Sequence, residues 1–136
     1  MLLPVNAWAV IVAAIAAMVI GSLWYSPILF GGYWMRLRGK DAASMKGMAF
    51  PAKEMSLQFV SSLVLAFFIA EFLFWVGANS LFGALLLGFW VWVAFFVTNM
   101  LNSVLWEKEP WALYGLNIAQ RLVTILVMAA ILGLWR

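Results

Sequence analysis

Glu71 and Arg121 are ionisable side chains set inside long apolar stretches. A charge at the centre of a bilayer costs from about 3 to more than 10 kcal/mol, so such groups face protein or water and mark candidate sites. The chain has no His and no Cys. That removes imidazole acid–base chemistry, thiol nucleophiles, disulfides and the usual zinc and haem ligands. Glu71 is then the one proton carrier within a span, and no second carboxylate lies near it in sequence. Glu107 and Glu109 flank Lys108 just before Pro110. Acids there complement the positive end of the next helix, and proline suits its first turn. Met45, Met48 and Met55, without His or Cys, make a poor copper set. The residues point to a protein that is not an enzyme, with no metal and no cofactor.

Arg121 has polar company. At about 100° per residue, Asn117, Gln120, Arg121, Thr124 and Met128 share one helical face. By the same count Ala84, Gly88, Trp92, Asn99, Asn102, Ser103 and Trp106 share a face in the preceding stretch. Folding the hairpin about Lys108 sets Asn99 level with Asn117, and Asn102 level with Tyr114. Helical side chains lean toward their own N-terminus, so the guanidinium is expected at the level of Asn99 and Asn117, in a layer with Ser22 and Tyr25. The candidate site is therefore Arg121, Asn117, Gln120, Asn99, Asn102, Ser103 and Tyr25. Such a cluster serves either as interhelical hydrogen bonding, worth about 0.6–2 kcal/mol per bond, or as a water-filled cavity. In the second case Arg121 would bind an anionic headgroup or small anion. Glu71 sits roughly 9 Å further toward the opposite end and about 160° away from the packing face of Gln58, Ser62, Ala66 and Ala70. A direct pair with Arg121 is not the expected arrangement.

The elements that must position these groups follow from composition. Of 136 residues, 68% are hydrophobic and 10% charged, against about 45–50% and about 25% in soluble domains. So much apolar surface calls for the bilayer as solvent. Residues 5–25, 55–76, 81–105 and 111–135 form four stretches of about the length needed to span it as helices. The alternation of a membrane β-barrel is missing. The expected fold class is an all-α membrane protein, a single domain in the form of an antiparallel up-down bundle of four transmembrane helices. Pro27 ends the first, and residues 28–37 make a short interfacial helix. Residues 1–9 carry no Lys or Arg, so the first span is not expected to be a cleaved leader.

Arg36, Arg38, Lys40, Lys46 and Lys53 crowd the loop 36–53, and Lys108 lies in the turn 106–110. Basic connections stay in the cytoplasm, which places both termini outside, in a cytoplasmic (inner) membrane. The net charge of +3 is then topological and implies no nucleic-acid partner. Stripes of small residues mark the packing faces: Ala9, Ala13, Ala17 and Gly21; Ser62, Ala66 and Ala70; Ala84 and Gly88; Ala129 and Gly133. Such stripes let membrane helices approach closely. The expected partners are membrane lipids and a second copy of the chain, with a dimer favoured.

The string Gly21-Ser22-Leu23-Trp24-Tyr25-Ser26-Pro27, followed by Leu29-Phe30-Gly31 and Trp34-Met35, resembles the start of a family of small uncharacterised bacterial membrane proteins. Trp106-Glu107, Pro110-Trp111, Leu113-Tyr114, Asn117 and the closing Leu132-Gly133-Leu134-Trp135 resemble its C-terminal pattern. The resemblance implies four membrane helices in a bacterial inner membrane and no established activity. Gln120 and Arg121 stand where that family commonly has uncharged aromatic or His residues, which makes Arg121 a feature of this member. Two functions fit the residues. One is a non-enzymatic, oligomeric membrane component binding lipid or a partner protein. The other is a small transporter or channel with a polar pathway past Arg121, Asn99 and Asn117.

Overall fold

A computed structural model describes residues 4–39 and 51–136. The described residues form five helices: α1 (Ala7–Trp24), α2 (Gly31–Leu37), α3 (Ala52–Trp75), α4 (Leu81–Leu105) and α5 (Trp111–Leu134). All but α2 are long and apolar enough to cross a membrane. The chain is thus an all-α membrane protein, with its short helix where Pro27 ends the first span. Helix α3 starts ahead of the expected span because it begins directly after Pro51, carrying Lys53 and Glu54 in its first turn. Lys40, Asp41, Met45, Lys46 and Met48 lie outside the described residues.

Local chemistry sets the helix ends. Asn6 Oδ1 accepts the Trp8 and Ala9 N–H groups at 3.0 and 3.3 Å, and Ser80 Oγ accepts that of Gly83 at 3.0 Å. Each cap satisfies donors that a helix start leaves unpaired. Helix α3 stops in a Schellman turn, in which a left-handed residue lets the chain bond back onto the last carbonyls. Gly77, at φ +67°, donates to the Phe74 carbonyl, and Ala78 donates to that of Leu73. Lys108 makes a similar turn at φ +60° without being glycine. Lys108→Gly is therefore expected to stabilise the protein by about 0.5–1 kcal/mol, strain relief outweighing the entropy of glycine. An unchanged or lower midpoint of thermal unfolding in one detergent would contradict it.

Helix α5 packs against each of the other four. Small residues set the distances. A Cβ on Gly133 would stand 2.6 Å from the Cβ of Ala84, and one on Gly88 would stand 3.2 Å from that of Ala129. The pairs 84–133 and 88–129 step in opposite senses along α4 and α5. Ala9, Ala13 and Ala17 of α1 and Ser62, Ala66 and Ala70 of α3 are also buried. The stripes are used within one chain. Trp8, Val19, Leu57, Phe82, Trp90 and Phe95 remain exposed, as expected where lipid is the solvent.

Two departures from regularity shape the inner space. Residues 52–61 of α3 contribute no buried side chain, whereas its buried residues run from Ser62 to Leu73. Helix α1 is buried from Ala9 to Ala17. The two therefore pack over one half of their length and leave a wedge at the other. Helix α4 contains a π segment, Trp92–Val97. There the Trp92 indole N–H donates to the Ile118 carbonyl and the Tyr114 hydroxyl to that of Val97, both at 2.7 Å. A π turn inserts one residue, so everything after it is rotated by about 100° relative to an ideal helix. Before the segment Ala84, Gly88 and Val91 are buried; after it the inward series is Phe96, Met100 and Val104.

Candidate functional site

The wedge is a cavity of about 840 Å³. Helix α1 lines it with Ala17, Met18, Gly21, Ser22 and Tyr25, whose small members leave the space open. Helix α3 contributes Met55, Gln58, Ser61 and Ser62, then Val64, Leu65 and Phe68 further along. Helix α5 supplies the wall carrying Gln120, Arg121 and Thr124, and Phe96 enters from the π segment of α4. The cavity is partly open to its surroundings.

Its polar groups are held by few bonds. Gln120 is buried, and its Nε2 donates to Thr124 Oγ1 one turn on, at 2.9 Å. The Tyr25 hydroxyl donates to Asn117 Oδ1 at 2.7 Å, tying the end of α1 to the first turns of α5. The Tyr25 ring meets Trp34 of α2 edge-on, with centroids 5.9 Å apart. Arg121 lines the cavity, half-buried, and its charge is felt by the Tyr25 phenol. It makes no hydrogen bond or ion pair with a described residue. The ion pair between described residues is Arg38 Nη1 to Glu109 Oε1 at 3.2 Å. It joins the end of α2 to the connection before α5 and, being exposed, contributes at most about 1 kcal/mol.

The structure gathers Arg121, Gln120, Asn117 and Tyr25, and separates the α4 residues from them. Asn99 is exposed and its Nδ2 donates to the Phe95 carbonyl at 2.8 Å. Asn102 is exposed too, and Ser103 Oγ donates to the Met100 carbonyl at 2.9 Å. All three are removed from the expected layer. The uniform 100° step placed them inward; the π segment turns Asn99 and Asn102 outward, while Ser103 stays half-buried outside the cavity lining. Glu71 is fully buried in α3 and does not pair with Arg121. Ser61 is a lining residue that the helical count passed over, while Gln58 and Ser62 counted only as a packing face. Three polar side chains within five residues of one span were the available signal.

The Tyr25–Asn117 bond is testable by itself. Tyr25→Phe and Asn117→Leu, measured singly and together, are expected to show a coupling of about 0.6–2 kcal/mol in thermal or denaturant unfolding. Strict additivity would mean the bond does not form in the membrane-embedded protein.

Comparison with curated proteins gives no match, and comparison with solved structures gives none. A family profile described as "Protein of unknown function (DUF1761)" matches residues 8–133, nearly the whole chain. By a match of that extent, the chain belongs to this family of unknown function.

Proposed function

We propose that this protein is a non-enzymatic membrane component that binds an anionic ligand through Arg121, in the cavity between α1, α3 and α5. The Arg121 guanidinium, without an ion pair or hydrogen bond among the described residues, carries the reading. Arginine offers five donors in a rigid fork suited to carboxylate and phosphate oxygens. A charge left without a counter-ion among the described residues, in surroundings of low dielectric, gains most from an anion that enters from outside. The neighbouring hydroxyls and amides are groups that bind and orient. The buried packing of Ala13, Ala66, Ile69, Leu73 and Met128 lies beyond the cavity, which favours a blind pocket over a through-route. The transport alternative, drawn past Asn99, loses that residue from the pathway.

In this proposal the basic connections face the cytoplasm and both termini face outside, in a bacterial inner membrane. The Arg38–Glu109 bridge between the two basic connections, and the opposite stepping of α4 and α5, support the up-down topology. A homodimer belongs to the proposal; it would use the bulky exposed faces, since the small-residue stripes are occupied within the chain.

The test is retention. Protein extracted in polymer-bounded discs of its own membrane is expected to carry an anionic molecule that Arg121→Gln loses by at least about tenfold, as for a hydrogen bond to a charged group. Equal retention by wild type and variant would sink the reading.

A further inference from the structure

We infer that the ligand is an amphiphile with one apolar chain and one negative charge, entering sideways from the membrane between α1 and α3. The inference rests on the Arg121 reading and adds the ligand's class and route. Charge sets the first limit. Among the described residues Arg121 is the one cation lining the cavity, and no carboxylate among them lines it. A single negative charge is balanced there, whereas a dianion would bring an uncompensated charge into a poorly solvated space.

Polarity sets the second. The groups beside Arg121 that could meet a head group are hydroxyls and amides, among them Ser62, Gln120 and Thr124. Further along α3 the lining turns apolar at Val64, Leu65 and Phe68, faced by Met18 and Phe96. A small inorganic anion would use the first half and leave the second empty, while a tail fills it and adds about 0.8 kcal/mol per buried methylene. The volume of about 840 Å³ lies within the range for one drug-sized ligand, about 300–1,000 Å³.

Exposure identifies the route. Val64 is 52% exposed and Phe68 42% exposed, although both line the cavity. Gln58, Ser61 and Ser22 are exposed as well. The opening therefore lies along the outer surface of α3, which in a membrane meets lipid, with polar groups at the end where α3 begins. A molecule lying in that leaflet presents head and tail in the same order.

The probe is radiolabelled oleate, in equilibrium binding to the full chain in phosphatidylcholine nanodiscs, with empty discs as the blank. One saturable site per chain is expected, weakened at least about tenfold by Arg121→Gln and less by Arg121→Lys. A photoreactive group near the oleate terminus is expected to label α3 between Val64 and Phe68, or Met18. This readout does not depend on a variant that folds. Oleate and lysophosphatidylglycerol share the required chemistry, and whichever competes better names the source of the anion. If acetate or inorganic phosphate binds through Arg121 as tightly as oleate, the amphiphile inference is overturned while the Arg121 reading stands. If oleyl alcohol equals oleate, or Arg121→Gln binds oleate unchanged, the amphiphile inference falls, and the Arg121 reading falls with it where wild type and Arg121→Gln also retain the native anion equally. Two-chain phosphatidylglycerol displacing oleate better than lysophosphatidylglycerol overturns the single tail, and labelling elsewhere overturns the route.

Discussion

Alanine at position 31 is expected to destabilise the protein by about 2–3 kcal/mol, the upper range for inserting a methyl group where nothing can yield. A Cβ on Gly31 would lie 2.5 Å from the Tyr25 carbonyl oxygen and 2.6 Å from the carbonyl carbon and oxygen of Ser26. These are backbone atoms, so no rotamer change relieves the contact. They lie in a turn closed by two backbone bonds: Gly31 N–H donates to Ser26 O at 2.8 Å and Phe30 N–H to Trp24 O at 3.0 Å. Opening the turn would displace Tyr25, and with it the bond to Asn117 at the cavity. Gly32 supplies the control. Nothing lies within 4 Å of its added Cβ, and Gly32→Ala in helix α2 should stabilise by about 0.5–1 kcal/mol. The two alanine variants should thus move the unfolding midpoint in opposite directions; a common direction would show that the turn does not close on Gly31.

The second large effect is a swap. Gly133→Ala would set its new methyl 2.6 Å from Ala84 Cβ, and an overpacked helix seam costs about 1–3 kcal/mol. Ala84→Gly creates the complementary space. The double variant carries the same two residue types with the methyl transferred from α4 to α5. It is expected to recover to within about 1 kcal/mol of wild type, a non-additivity possible only between residues in contact. A double variant as weak as the sum of its parts would show that α4 and α5 do not meet at this register. Gly88→Ala should be milder, since its Cβ would meet Ala129 and Ile125 side chains at 3.2 and 3.3 Å.

The spans were legible in the sequence because membrane solvent imposes length and composition on each helix separately. The seams were legible as far as residue type goes. Ala84, Gly88, Ala129 and Gly133 announce a close approach, but only the structure shows that they approach one another. Half of the candidate site was readable for a similar reason: Asn117, Gln120, Arg121 and Thr124 lie on α5, a regular helix in which a constant angle per residue holds over their whole span. The count failed in α4. Ala84, Gly88 and Trp92 do face α5, and beyond the π segment the face passes to Phe96, Met100 and Val104. No glycine or proline marks Trp92–Val97. What holds the segment is a pair of tertiary bonds, from Trp92 to Ile118 and from Tyr114 to Val97, and these lie beyond any local pattern. The α3 side of the cavity was obscured differently. Gln58 and Ser62 look like interhelical glue when the neighbour is assumed to be packed against them, and the splay that unpacks residues 52–61 is a property of two helices together.

The order of the chain gives that splay a consequence in biogenesis. Helices α1 and α3, which form two walls, are made before α5, which supplies the wall carrying Arg121. The proposed ligand site is incomplete until α5 has docked. A molecule that occupies it cannot assist the insertion of the first three spans; it acts as a latch on the final step, strengthening the finished bundle by RT ln(1 + [L]/Kd). Nascent chains waiting for α5 would be sensitive to proteolysis whatever the ligand supply, and completed ones would become resistant in proportion to it.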